Sequence, residues 1–335
     1  MKRFSILIAI FFFVTPALAV NLNEEIKVGQ NADKFIRKQF GVYPDKKIQA
    51  YVNRIGQKLL KSIEDPEFEY HFLVVDDPML NAFAVPGGYV YITRGMLAYL
   101  DNEAALAGVL GHEIGHVIGH HSYKKMKKSL GDTLLIFAGL GAGLASGGGD
   151  ATAAWVMATT SITQLSSAGY GRELELQADE FGMIYSYDAG YDPRANSGFF
   201  NTLLFKERIS GAGYHGFYAT HPDTMERVVK TREKSEIIAS RGKPLVINRR
   251  EYLEKIKGLT FGKGNRKIKK PPPYVLELYE TKKGDTFRGI AKNVTGDESM
   301  GFEVAVINSK RVADKLVPGT LLKVPVKRRL AGADN

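Results

Sequence analysis

Apolar residues recur at three- and four-residue spacings from Leu22 to about Ile63, through Ile26, Phe35, Ile36, Ile48, Tyr51, Val52, Ile55, Leu59 and Leu60. That period is the mark of helices with one buried face, and the break at Gly41-Val42-Tyr43-Pro44 divides the stretch into two of them. The period then changes. Phe68 to Val75 and Tyr89 to Thr93 are rich in β-branched and aromatic residues and predict strands, with the turn signal Pro86-Gly87-Gly88 ahead of the second. Asp101 or Asn102 caps a long helical stretch, Glu103 to about Leu130. Beyond it, Thr133 to Leu165 is apolar but interrupted by Ser146-Gly147-Gly148-Gly149-Asp150. Neither half reaches the ~20 residues of a bilayer span, so the pattern predicts two buried helices on a glycine hinge, with shallow membrane contact as the alternative. A further helix is predicted from Gly171 to about Tyr187, ended by Gly190.

Toward the C-terminus the pattern shifts again. Residues 261–273 combine Lys263, Arg266, Lys267, Lys269 and Lys270 with Pro271-Pro272-Pro273. Mutually repelling cations and stiff prolines predict a solvated linker. Residues 274–327 then predict a small unit: a strand over Tyr274 to Thr281, the turn Gly284-Asp285-Thr286, a helix around Arg288 to Ala291, a second helix ending at Val304 to Asn308, and a strand at Leu321 to Pro325. The expected architecture is α+β, a mainly helical domain with a small sheet over 20–260 followed by a βααβ unit. At the other end, Lys2 and Arg3 precede an apolar run from Phe4 to Val14, then Pro16 and Ala17-Leu18-Ala19. This predicts a cleavable secretory signal over residues 1–19 and a periplasmic destination, an uncleaved anchor being the alternative.

Composition narrows the chemistry. The 335 residues include no cysteine, which excludes disulfide scaffolds, cysteine zinc sites, iron–sulfur clusters and thiol nucleophiles. The 46 basic side chains exceed the 36 acidic ones, but the excess lies partly in the 261–273 stretch without interleaved aromatics, so no nucleic-acid partner is expected. Histidine is scarce and unevenly spread: of 7 in all, His112, His116, His120 and His121 fall within ten residues.

Gly111-His112-Glu113-Ile114-Gly115-His116 contains HExxH on a predicted helix. Four-residue spacing stacks the two imidazoles on one face, where both can bind a single Zn²⁺, and Glu113 is placed to act as general base toward a water beside it. A zinc hydrolase needs a third protein ligand. The extended pattern that would supply it from the same segment fails, because position 122 is Ser122 rather than histidine. His120 shares the face of His116, but three histidines along a straight helix span about 12 Å, too far for one ion. A second helix is therefore required. In Arg172-Glu173-Leu174-Glu175-Leu176-Gln177-Ala178-Asp179, Glu175 can ligate the metal while Asp179, one turn on, accepts a hydrogen bond from a ligand imidazole; a solvated acidic face is the alternative.

The chain resembles the HExxH zinc metallopeptidases that include the CAAX prenyl proteases, the HtpX-like heat-shock peptidases and soluble periplasmic quality-control peptidases. The matching segments are Asn81-Ala82-Phe83-Ala84 with Pro86-Gly87-Gly88, then His112 to His116, then Glu175 to Asp179, and finally Thr220-His221-Pro222 with Arg227. The resemblance implies a zincin-type fold, Glu175 as third zinc ligand, and His221 and Arg227 facing the active site. Either could stabilise the oxyanion formed on a peptide carbonyl, or His221 could be a fourth ligand that holds the enzyme latent, with a helix-start turn at His221-Pro222 and a surface ion-pair donor at Arg227 as the alternative. His71, His120, His121 and His215 have no comparable support and read as structural or solvated. Phe83 to Thr93 is the expected substrate track, through main-chain bonds at a sheet edge, with Asn81, Ala82, Phe83 and Ala84 as substrate-binding residues and an ordinary core hairpin as the alternative. Residues 274–327 resemble a LysM module, which implies contact with peptidoglycan, a tail that simply packs on the larger domain being the alternative. The expected activity is zinc-dependent endoproteolysis of unfolded or misassembled envelope polypeptides. A peptidase of peptidoglycan stems and a non-catalytic zinc-bound holdase are the rivals.

Overall fold

The protein is described by a computed structural model covering residues 21–127, 171–196, 221, 225–265, 268 and 270–328. The expected signal over 1–19, the apolar region Thr133 to Leu165 and His215 lie outside the described residues.

Two amphipathic helices open the fold. In α1 (Leu22–Phe40) the Asn21 side chain accepts the Glu24 N–H, and in α2 (Lys46–Leu60) Asp45 accepts those of Lys47 and Ile48, so each helix starts on a side-chain cap. Gly41 ends α1 at φ 72°, a conformation that favours glycine. Gln49 ties α2 to the first sheet, accepting the Val74 N–H and donating to the Val74 carbonyl. That sheet comprises β1 (His71–Val75), β2 (Ala82–Val85) and β3 (Tyr89–Thr93) in the order β1-β3-β2. β1 runs parallel to β3, and β2 pairs with β3 in an antiparallel hairpin. The pattern predicts β1 and β3. The short β2, with alanine at two of its four positions, carries little β signal of its own and takes its strand form from pairing.

After the short α3 (Arg94–Tyr99), α4 (Glu103–Ile118) starts on the Asn102 cap and runs through the middle of the core, buried at nearly every position. The single helix predicted to about Leu130 is in fact interrupted: His120 adopts a left-handed φ of 53°, and a second helix, α5, covers 121–127. Tertiary contacts hold the break, since the His120 ring lies 2.8 Å from a Glu25 oxygen on α1 and 3.1 Å from one of Glu67.

Helix α6 (Arg172–Asp188) crosses α4 at a seam of small residues. A Cβ added to Gly111 would stand 3.0 Å from the Gly182 Cα, and one on Gly115 would stand 3.0 Å from the Ala178 Cα. Such backbone-to-backbone approach is open only to residues with little or no side chain. Helix α7 (Met225–Ala239) packs on α6, and α8 (Arg249–Ile256) returns the chain to the core.

The C-terminal unit is a βααβ arrangement of β5 (Tyr274–Glu280), α9 (Phe287–Thr295), α10 (Gly301–Ile307) and β6 (Leu321–Lys327). Its sheet also takes in β4 (Thr260–Phe261), in the antiparallel order β4-β5-β6, so Phe261 and Tyr274, at either end of the basic stretch, are paired. The unit has a small core around Phe287, Ile290, Val304 and Val324. Leu276, Val306, Ile307 and Leu321, however, join the main core of the larger domain. Lys323 crosses the junction, fully buried, with its ammonium donating to the carbonyls of Ala98 at 3.0 Å and Leu100 at 2.7 Å. The architecture is α+β, as the pattern predicts. Among the described residues no helix is long and apolar enough to cross a membrane.

Candidate metal centre

The glycine seam sets the site. Gly111 and Gly115 each precede a histidine on α4, and Ala178 precedes Asp179 on α6, so drawing the backbones together turns His112, His116, Glu175 and Asp179 into one buried space. His221 enters from the segment before α7. His112 Nε2 lies 3.0 Å from His116 Nε2 and 3.1 Å from His221 Nδ1. Glu175 places Oε1 3.1 Å from His221 Nδ1 and 3.5 Å from His116 Nε2, and Oε2 3.5 Å from His112 Nε2. Four donors arranged tetrahedrally at ~2.0–2.1 Å from a common centre stand roughly 3.3 Å apart. The observed separations match that figure. Among the described residues this is the only group of three or more such side chains that could hold a metal ion.

The protons fit the same conclusion. Asp179 Oδ1 lies 2.9 Å from His112 Nδ1 and, as a carboxylate, accepts its proton, which turns the Nε2 lone pair of His112 toward His116 and His221. Lone pairs facing one another at such distances repel unless a cation or proton lies between them. Charge points the same way: the buried carboxylates of Glu175 and Asp179 share the single guanidinium of Arg227, so further positive charge beside them is favoured. Both Glu113 oxygens are buried without a hydrogen-bond partner, Oε1 lying 3.4 Å from His221 Nε2. A group left so in the interior calls for a water or ion.

Arg227 is fully buried and committed to the carboxylates, donating from Nη1 to Glu175 at 2.8 Å and from Nε and Nη2 to the two oxygens of Asp179, each at 2.8 Å. Burial pushes the Asp179 carboxyl up, but the bonds from Arg227 and His112 outweigh it and hold it at about 2. Glu175 is likewise held below its ordinary value, its burial outweighed by His221, His112 and Arg227. Burial dominates at Glu113, raising it, and at His116, driving its imidazole well below the ordinary range toward the neutral form that binds metals. Burial works against protonation of His221 too, but Glu175 and Glu113 overcome it and draw its affinity for a proton upward.

The structure thus brings together His112, Glu113, His116, Glu175, Asp179, His221 and Arg227. Of the Asn81 to Ala84 segment, Asn81 is half-buried and Ala82, Phe83 and Ala84 are buried in β2, the strand at one edge of its sheet and packed on α4. The Ala84 carbonyl accepts a bond from Ser122 Oγ at 3.0 Å, the position where the extended histidine pattern fails. One residue escaped the sequence reading. His121, read as structural or solvated, is buried with its Nδ1 2.8 Å from His116 Nδ1. The signal for it lay one step away, in the glycine and histidine at 119 and 120 that turn the chain back.

Comparison with known proteins agrees with the geometry. Over 267 residues the chain is 28% identical to the beta-barrel assembly-enhancing protease of Escherichia coli (strain K12), an alignment covering 75% of this chain and 52% of that protein. It is 27% identical over 222 residues to the mitochondrial metalloendopeptidase OMA1 of Schizosaccharomyces pombe, covering 64% of this chain and 62% of the relative. The chain spans about half the length of the first of these relatives. The model of peptidase family M48 matches residues 46–235, from the start of α2 into α7. With more than half of the chain and every residue of the buried cluster inside that match, the chain belongs to the M48 family of metallopeptidases.

Proposed function

We propose that the protein is a zinc-dependent endopeptidase of the cell envelope, with Zn²⁺ held by His112, His116 and Glu175. The observation that carries this is the pairing of a tetrahedrally spaced donor group with the orphaned carboxylate of Glu113. When bound, Zn²⁺ supplies Lewis acidity that polarises a peptide carbonyl and makes water a nucleophile near neutral pH. Glu113, its proton affinity raised by burial, takes a proton from the attacking water and returns it to the leaving amine. Asp179 fixes the His112 tautomer, and Arg227 clamps Glu175 and Asp179 so that the donors from α6 meet those from α4.

His221 has two roles open to it, and the geometry favours one. Its Nδ1 lies within the donor group rather than beside it, which supports a fourth ligand that closes the site, with its release freeing a position for substrate. With Arg227 committed to the carboxylates, oxyanion stabilisation then falls to His221 once released.

The substrate class is unfolded or misassembled envelope polypeptides, taken in extended form along β2. Support comes from the expected signal over 1–19 and from the name of the Escherichia coli relative, which ties that protein to β-barrel assembly. The βααβ unit, which resembles a LysM module, favours a second reading in which peptidoglycan is the ligand or substrate. Incubation of the purified protein with casein and, separately, with purified sacculi decides between them. Cleavage of casein that is lost in Glu113→Gln supports the endopeptidase, whereas release of soluble fragments from sacculi alone supports the stem peptidase. Equal suppression of aggregation by both forms without cleavage would instead mark a holdase.

A further inference from the structure

We infer that His121 and Gln177 form a hydrogen-bonded relay that fixes the tautomer of His116 and thereby sets how tightly the site retains its cation, a role that presupposes the zinc centre proposed above. His121 is buried, with Nδ1 2.8 Å from His116 Nδ1 and Nε2 2.9 Å from Gln177 Oε1. A carboxamide oxygen only accepts, so His121 Nε2 carries the proton of that bond. In a neutral His121 ring Nδ1 is then a lone pair, and His116 Nδ1 must be the donor to it. The remaining nitrogen of His116, Nε2, is left as a lone pair aimed at the donor group, 3.0 Å from His112 Nε2. The opposite polarity would place a proton on His116 Nε2, pointing into the space a metal needs. The relay therefore does for His116 what Asp179 does for His112, using a neutral chain in place of a carboxylate.

The local backbone is built around this contact. His120 takes a left-handed φ of 53° and is anchored by Glu25 and Glu67, which ends α4 and swings His121 back along it. Gly119 makes room, since a Cβ there would stand 2.2 Å from His121 Nε2. Gln177 reaches in from the exposed side of α6, between the donor Glu175 and its neighbour Asp179. His121 and Gln177 are thus positioning residues: they touch neither substrate nor metal and act through His116.

Zinc affinity measured by chelator competition tests this, together with ¹⁵N shifts of the His116 ring in the metal-free protein. Gln177→Leu removes an exposed acceptor and leaves the core intact, and His121→Phe keeps the ring without its nitrogens. Each is expected to raise the zinc dissociation constant about 10- to 100-fold, the range seen when the partner of a metal-bound imidazole is lost. Gln177→Glu, a stronger acceptor, should bind zinc at least as tightly as the wild type. The wild-type ¹⁵N shifts should report the proton of His116 on Nδ1, and Gln177→Leu should lose that preference with its metal-free melting temperature unchanged. Wild-type zinc binding that is unaltered in Gln177→Leu would overturn the relay and leave the zinc centre standing. A wild type that binds no zinc would overturn both.

Discussion

Gly111 on α4 and Gly182 on α6 touch backbone to backbone, and a Cβ on Gly182 would stand 2.9 Å from the main-chain nitrogen of His112. The approach that brings the histidine helix against the carboxylate helix therefore depends on the absence of side chains at this crossing. Gly182→Val should push the helices apart, with a stability loss of roughly 1–3 kcal/mol from overpacking and a larger proportional loss of zinc affinity. Urea unfolding and metal analysis of the same preparation check both. Retention of a full zinc equivalent by Gly182→Val would show that the seam does not set the site.

Arg227 is the cation that allows two carboxylates to share the interior. Arg227→Met leaves Glu175 and Asp179 without it, and stability of the metal-free protein should fall by about 3–5 kcal/mol, the usual cost of stranding buried charge. Added Zn²⁺ should recover part of that loss, since it binds the folded chain and restores positive charge. Thermal unfolding with and without zinc measures the difference. An Arg227→Met protein as stable as the wild type without metal would contradict the clamp.

Lys323 links the C-terminal unit to the larger domain with a buried ammonium whose pKa burial lowers to about 8 from an ordinary 10.5. The unfolded chain keeps this proton to higher pH than the folded one, so stability rises with pH between those two values. Below pH 8 the full cost, roughly 3 kcal/mol, opposes folding. Between pH 7.5 and 9.5 the stability of wild type relative to Lys323→Met should shift in favour of wild type by roughly 2 kcal/mol. Denaturant unfolding at the two pH values checks this, and a pH-independent difference would show that Lys323 is not held as a desolvated cation.

Local pattern made much of this molecule legible. The helices α1 and α2 follow from apolar periodicity, α6 from the stretch that Gly190 ends, and the HExxH spacing alone places His112 and His116 on one face of α4. The i, i+4 spacing of Glu175 and Asp179 fits a ligand and its partner but equally a solvated acidic face, and only the resemblance to the HExxH peptidases singles Glu175 out. Features that depend on distant segments were hidden. The break at His120 is held by Glu25, some 95 residues earlier in the chain, and without that break His121 cannot turn back to His116. The small residues at 111, 115, 178 and 182 stand in plain sight in the sequence, but their meaning appears only when α4 and α6 are known to cross there. Lys323 sits in a strand where a lysine reads as a solvent-facing position, and only the carbonyls of Ala98 and Leu100 make its burial tolerable.

In the proposed mechanism Glu113 moves the proton for a zinc site built from α4 and α6. Its most direct test is casein cleavage by purified Glu113→Gln, with bound zinc quantified in the same sample. Zinc content equal to wild type with cleavage reduced by about 10²- to 10⁴-fold is the predicted result. Undiminished cleavage by a zinc-loaded Glu113→Gln protein would rule out Glu113 as the general base.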